Sequence, residues 1–416
     1  VARGERVLVL VHRVELLEQA SRALQLHDVA HGVIAAGSPP SDQPVQVAMV
    51  ATIARRLEAW RGWADLVIVD EAHHAVAGSW ARVLASQPRA RLLGVTATPE
   101  RLDGRGLAEC FDELIVGPQP RVLQDGGYLV RARVFEPGLA PNLAGAKIKA
   151  GDYIVSDLRE RGAIVSPESV VADWIRLADA APALNFSPDI PHSHATIAAA
   201  LAAGRRAAHL DGETSAADRR EAIRALGAGE LDLVSNVGLF AEGVDLPNVG
   251  VLLMSRPTAS LGLYLQMVGR VLRPAPGKAH AVILDFVGNC GRHGLPDRDR
   301  EWSLDSKSRK QRETSESSGL RRCTACSALN APQAFDCAEC GADLRTPRER
   351  HEVEIRLAEA RRREAIQKLN ARPYWWRLKW AGSDERRLRL LAEMHGYASG
   401  WVWHQRQRAL GGEERQ

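Results

Sequence analysis

Leu66-Val-Ile-Val-Asp-Glu-Ala-His73 is the stretch from which the fold of this chain can be read. Four apolar residues run without polar alternation into two carboxylates, a small residue and a histidine. Such a run suits a strand buried on both faces of a parallel sheet. The charged group then falls at the strand's C-terminal end, where open α/β sheets bind ligands. Two adjacent acids there are able to hold Mg²⁺ and polarise a water beside a nucleotide phosphate. A solvated loop start would look the same, so the assignment depends on what surrounds it.

Upstream, Arg6–His12 reads as a strand and Val14–Leu26 as an amphipathic helix with Leu16, Leu17, Ala20, Ala23 and Leu24 on one side. Val45–Ala51 and Arg91–Thr96 are further strands, with a short helix from Ile53. This βαβα rhythm predicts a parallel sheet covered by helices. A second α/β block repeats it, with strands at Ala183–Ser187, Arg206–Leu210, Leu231–Asn236, Val249–Met254 and Ala279–Asp285. Helices are expected at Ile190–Ala203 and Ser215–Leu226, the latter capped from Thr214–Asp218.

The expected organisation is a first α/β domain at 1–117, a Gly- and Pro-richer connector at 118–167 and a second α/β domain at 168–296. A polar linker at 297–322, a cysteine cluster at 323–345, a charged helix at 346–372 and a Trp-rich module at 373–416 follow. At 416 residues, two or three domains are the prior. No apolar run nears the ~18 residues of a membrane span, and none reads as a signal peptide, which points to the cytoplasm. Net charge is +4. From Glu301 onward there are 23 Lys+Arg against 17 Asp+Glu, which leaves 32 against 34 of the totals 55 and 51 before it. The basic excess therefore sits in the tail, and it suits either a nucleic-acid surface or a solvated helix face.

Three further constellations follow strands. Val95-Thr-Ala-Thr-Pro-Glu-Arg101 offers short hydroxyls at a strand end, or simply a Thr-Pro turn. Asn236-Val-Gly-Leu-Phe-Ala-Glu-Gly-Val-Asp-Leu-Pro247 places Gly243 for close backbone approach and Asp245 for a ribose hydroxyl. Gln266-Met-Val-Gly-Arg-Val-Leu-Arg273 spaces Gln266, Arg270 and Arg273 to share one helix face. Two arginines so placed form a phosphate clamp, or else a solvated basic face.

Taken together, DEAH, TATP, EGVD and QMVGRVLR, in this order across two α/β blocks, resemble a superfamily 2 DEAD/DEAH-box helicase over about residues 1–290. Val9-Leu-Val-His-Arg13 matches the family's motif Ia, Val50-Ala-Thr-Ile53 motif Ib, Asp70–His73 motif II and Thr96–Thr98 motif III. Phe186–Ser187 lies near motif IV, Glu242–Asp245 is motif V and Gln266–Arg273 motif VI. The resemblance implies two RecA-like domains that sandwich ATP. Asp70 would coordinate Mg²⁺, Glu71 would orient the attacking water, and His73 and Gln266 would couple the domains. Arg270 and Arg273 would reach the γ-phosphate from the second domain, with Gly243 and Asp245 at the nucleotide. His12, Arg13, Thr52, Thr96 and Thr98 would lie on the nucleic-acid side, mainly against the backbone, which makes binding salt-dependent. The Thr-Pro-Glu-Arg context resembles the DNA-repair and restriction-translocase branch, so DNA is expected over RNA.

One motif departs from the family. No Gly-x-x-x-x-Gly-Lys-Ser/Thr occurs in the 416 residues. In the family this phosphate loop precedes motif Ia by a couple of dozen residues, which would place it before Val1. The expectation is an N-terminally truncated motor with an incomplete first domain, unpaired strand edges and weak ATP hydrolysis. The competing expectations are a non-catalytic nucleic-acid-binding remnant of such a helicase, and the motor subunit of a restriction system.

Cys323-x2-Cys326-x10-Cys337-x2-Cys340 has the spacing of two knuckles that offer four thiolates to a structural, tetrahedral Zn²⁺; four reduced thiols in a linker are the other reading. Such a ribbon would assist DNA or partner binding. Cys110 and Cys290 are isolated and read as buried thiols. Five of the ten tryptophans lie between Trp375 and Trp403. They read as the core of a very small domain or, interleaved with bases, as a stacking surface for nucleic acid. The Gly-Tyr-x-x-Gly-Trp pattern at Gly396–Trp401 resembles the tail of some phage-type DEAH helicases.

Overall fold

The computed structural model describes residues 4–99, 106–239, 246, 248–305 and 319–413. The chain forms two units, Val1–Ala342 and Asp343–Gln416.

The first sheet of the first unit holds β1 (Val7–Val11), β2 (Gly32–Ile34), β3 (Val45–Met49), β4 (Leu66–Asp70) and β5 (Arg91–Val95), all parallel, in the order β2-β3-β1-β4-β5. Near-continuous valine and leucine bury both faces of β1, whereas in β4 only Val67 and Val69 are buried and Leu66 and Ile68 on the other face are half-buried. Leu8, Leu10, Val67 and Val69 pack one way against Trp80, Val83 and Leu84 of the helix Gly78–Ala85. Val11 and Val47 pack the other way against Leu17 of the helix Val14–Leu26, with Leu16, Ala20 and Leu24 beside it; Ala23 is exposed. The short β2 had no signal beyond three residues and is held by its ladder to β3. β5 is an edge strand, and its apolar Leu93 and Val95 are 49% and 46% exposed. Gly94 between them is required, because a Cβ there would lie 2.6 Å from the Phe111 ring and 2.8 Å from Ala72 Cβ.

The second sheet holds β6 (Arg131–Phe135), β9 (Ala183–Phe186), β10 (Ala207–Leu210), β11 (Leu233–Asn236), β12 (Val251–Met254) and β13 (His280–Asp285). All are parallel, in the order β10-β11-β9-β12-β13-β6. Leaving β6 aside, its strands follow the same order as the first sheet: second, third, first, fourth, fifth. Two such sheets in one chain are the α/β architecture of paired RecA-like domains. The helix Pro167–Ala178, which the sequence reading passed over, covers this sheet through a fully buried Trp174 whose Nε1 donates to the Ala181 carbonyl at 2.9 Å. Ser215 caps the helix Ala216–Gly227 as expected, accepting from the Asp218 amide.

Residues 118–167, expected as a connector, carry β6 and the hairpin of β7 (Ile148–Lys149) and β8 (Asp152–Tyr153). β6 was missed because its period-two pattern is masked by three charged or small residues. Asp152 accepts from the Ala259 amide and the Thr258 hydroxyl and pairs with Arg256 at 2.8 Å, which pins the hairpin to the loop after β12. In the expected linker, the Leu304 carbonyl accepts from the Leu107 amide at 2.8 Å; residues 306–318 lie outside the described residues.

The cysteine cluster is folded onto the second sheet. β14 (Arg321–Arg322) pairs antiparallel with β15 (Leu329–Asn330), and Leu320 and Leu329 join the hydrophobic core of that domain. In the second unit, Thr346 and Glu349 form a capping box on the charged helix Pro347–Asn370. Helices Tyr374–Ala381, Glu385–His395 and Ser399–Glu413 close a small core of Ala381, Leu388 and Leu391 with Trp380 and Trp401 against it. The small-core reading of this module therefore holds for Trp380 and Trp401, while Trp375 and Trp403 are 65% and 60% exposed. No helix among the described residues is long and apolar enough to cross a membrane.

Candidate functional site

The strand order reverses beside β1 in the first sheet and beside β9 in the second, and ligand sites of such sheets form outside the strand ends at these points. In the first sheet, motif residues stand at the ends of β1, β4 and β5. Asp70 closes β4. Glu71 follows in the left-handed region, φ 52° and ψ 54°, which side chains with a Cβ rarely adopt. Its amide donates to Asp70 Oδ1 at 3.0 Å. Strain of this kind is held where the surroundings dictate it, and such places cluster at active sites.

His73 links two motifs. Its Nδ1 lies 3.2 Å from the Thr96 hydroxyl and 3.4 Å from Glu71 Oε2. Thr96 in turn donates to the Thr98 carbonyl at 2.8 Å, with Thr98 buried. The end of β4 and the end of β5 are therefore one hydrogen-bonded unit, as the residue types suggested. His74, which the sequence reading did not single out, continues the chain of contacts. Its ring is 4.2 Å from His73, 4.9 Å from His12 and stacked at 6.1 Å on Trp80. Only its position after the DEAH box hinted at this.

His12 and Arg13 end β1. Arg13 Nε donates to His12 Nε2 at 3.4 Å, and its Nη1 crosses to the second domain to reach the Leu239 carbonyl at 3.1 Å. Thr52 is half-buried on the helix Val50–Ile53 that follows β3. In the second domain Gln266 lies on the helix Leu261–Gly269, and Arg270 caps it. The shared helix face ends there: Arg273 lies past the helix. Pro274 disfavours a helical conformation at Arg273, so the helix could not have carried Arg273 to its end. Lys278 Nζ then donates to the Arg273 carbonyl at 2.9 Å and the Val249 carbonyl at 2.8 Å, fixing that segment. Burial, with Arg273 nearby, pushes the Lys278 ammonium down to about 8. Gly243 and Asp245 lie outside the described residues.

The four cysteines come together. Their Sγ atoms all lie within 4.8 Å of one another, with Cys323–Cys340 and Cys326–Cys337 at 3.6 Å. A tetrahedral Zn–S bond of ~2.3 Å requires sulfurs about 3.8 Å apart, so the donor set fits the metal. The two knuckles are built alike. The Ser327 amide donates to the Cys323 carbonyl and the Gly341 amide to the Cys337 carbonyl, both at 2.9 Å. Both residues are left-handed, with φ 66° and 72°.

The two parallel sheets and the motif residues at their strand ends are similar to those of superfamily 2 helicases, and two family models match the two domains. Residues 2–101 match the family described as the res subunit of type III restriction enzymes, and residues 170–275 match the helicase conserved C-terminal domain. A 51.5 kDa protein of a Lactococcus phage is 29% identical over 352 residues, 84% of this chain and 74% of that one. A Saccharomyces cerevisiae protein named as the ATP-dependent helicase IRC3 is 29% identical over 299 residues; the match covers 68% of this chain and only 43% of the yeast protein. A fragment structure from Vibrio vulnificus, titled as an HsdR subunit of a type I restriction enzyme, shares the fold with a TM-score of 0.53 at 21% identity, covering 70% of this chain and 55% of that one.

Proposed function

We propose that this chain carries the motor domains of an ATP-dependent DNA helicase or translocase. The observation that carries the reading is the strained Glu71 beside Asp70, tied through His73 to Thr96. An acid held in that conformation at a strand end is preorganised to orient a water. Asp70 would hold Mg²⁺, and Gln266, Arg270 and Arg273 would approach the same nucleotide from the second domain. ATP and Mg²⁺ supply the phosphoryl group and its charge neutralisation. Arg13, Thr52 and the β1 end would meet the DNA backbone. DNA over RNA rests on the Thr-Pro-Glu-Arg context and on the relatives' names, two of which refer to restriction enzymes.

The 416 residues offer no phosphate-loop lysine, so slow hydrolysis by them alone is part of the proposal. The half-exposed Leu93 and Val95 on the β5 edge support a first sheet that takes up a further strand. The four thiolates would hold a structural Zn²⁺. A labelled single-stranded DNA oligonucleotide should bind in fluorescence anisotropy, with affinity falling as salt rises. No binding at low salt, or equal affinity for RNA of the same sequence, would overturn the DNA reading. A chain extended upstream with a Gly-Lys-Ser/Thr loop should hydrolyse ATP faster when that oligonucleotide is present. An extended chain that binds DNA without hydrolysis would instead favour the non-catalytic remnant.

A further inference from the structure

Where the two domains face each other, three contacts line up along one side. Arg13 reaches the Leu239 carbonyl at 3.1 Å. Two residues on, Glu15 pairs with Arg219 at 3.4 Å, and one turn beyond it Glu18 pairs with Arg220 at 3.6 Å. Glu15 and Glu18 are three residues apart on the helix Val14–Leu26, so they share a face. Arg219 and Arg220 open the second turn of the helix Ala216–Gly227. Arg219 Nε is buried without a hydrogen-bond partner among the described atoms.

We propose that Glu15 and Glu18 form a latch that occupies the guanidinium groups of Arg219 and Arg220 until a phosphodiester backbone displaces them. The proposal rests on the nucleic-acid reading of Arg13. The chemistry favours exchange. A guanidinium fork matches a carboxylate and a phosphate equally well. Ion pairs as exposed as Arg220–Glu18, at 62% and 44%, contribute little and break cheaply. A phosphate chain adds counterion release that an internal carboxylate cannot. Arg13 stands at the same seam and bonds a neutral carbonyl, which a phosphate oxygen replaces with a stronger, charge-assisted bond. The acids thus hold the domains together before the strand arrives and lower non-productive affinity. The ligand is single-stranded DNA, bound by its backbone.

The test is anisotropy with a labelled single-stranded DNA oligonucleotide over a salt series. Glu15→Gln with Glu18→Gln should tighten binding by about threefold to tenfold, the scale of two exposed ion pairs. Glu58→Gln with Glu113→Gln removes the same charge from exposed sites of the first domain and should tighten binding far less. Arg219→Gln with Arg220→Gln should weaken binding and flatten the slope of log affinity against log salt by about 1.4, from ~0.7 per phosphate contact on a single strand. In that background the glutamate changes should have no further effect. A gain that equals the charge-matched control, or that persists without the arginines, would refute the latch while leaving DNA binding intact. Absence of binding by every variant, wild type included, would remove the nucleic-acid reading and the latch with it.

Discussion

Removing the metal from the cysteine knuckles should weaken the second motor domain, not merely a tail. Residues 320–342 bury almost nothing by themselves: Cys323, Cys337, Ala328 and Asn330 are the buried side chains there. The thiolate–metal bonds are what would hold this loop closed, and such sites contribute on the order of 10 kcal/mol in small zinc peptides. Once open, the loop releases its grip on the β6 edge. That grip consists of the Ala328–Phe135 bridge, the Glu136 amide donating to the Ser327 carbonyl at 2.9 Å and Arg322 donating to the Glu136 carbonyl at 2.6 Å. The Arg133–Glu339 ion pair and the packing of Leu320 and Leu329 go with it. Two backbone-directed hydrogen bonds contribute about 1 kcal/mol each. Two half-buried leucines contribute roughly 1 kcal/mol each. The domain should therefore lose about 4 kcal/mol, or about 10 °C in its melting temperature. Purified protein should carry one zinc per chain by chromogenic assay. Stripping it with a strong chelator, or replacing Cys337 by Ser, should lower the transition in scanning calorimetry and speed amide exchange at 131–136. Zinc lost with an unchanged transition, or protection at 131–136 preserved after stripping, would refute the coupling.

Glu71→Asn should raise stability by about 0.5–1 kcal/mol, because Asn tolerates the left-handed region, while abolishing any ATP hydrolysis; thermal melts and a phosphate-release assay report the two effects separately. Trp174→Ala should cost about 3–5 kcal/mol in urea unfolding, through the cavity left under the second sheet and the lost bond to Ala181. Burial pushes the His293 imidazole down to about 4, from an ordinary 6.5. The unfolded chain takes up that proton as pH falls through 6.5, and the folded protein does not until about 4. Stability is therefore full above 6.5 and declines by about 3 kcal/mol toward pH 4. Melts of wild type and His293→Gln across this range should diverge at high pH and converge at low pH.

The local signals were strong wherever burial on both faces removed polar residues. Leu66–Asp70, Val14–Leu26 and Ala183–Phe186 could be read directly because a buried parallel strand and an amphipathic helix each write their period into the chain. The residue types of the site were legible for the same reason: Asp70, Glu71, His73 and Thr96 stand at strand ends, where the pattern changes abruptly. The cysteine spacing also spoke for itself, since four thiolates in paired knuckles have few other uses.

Other features depend on distance along the chain, which periodicity does not encode. Arg131–Phe135 looks like connector because its partner, β13, comes some 150 residues later. The arginines of Gln266–Arg273 look like one helical face, but the helix ends at Gly269 and Arg273 lies beyond it. Glu15 and Arg219 are unremarkable charges on two separate helices until the domains bring them to 3.4 Å. The stretch Leu66–His73 by itself determined a buried strand with acids at its end. Only the tertiary structure decided that Glu71 is left-handed and tied through His73 to Thr96, because a residue with a Cβ does not prefer that conformation by itself and Thr96 comes to His73 only in the folded sheet.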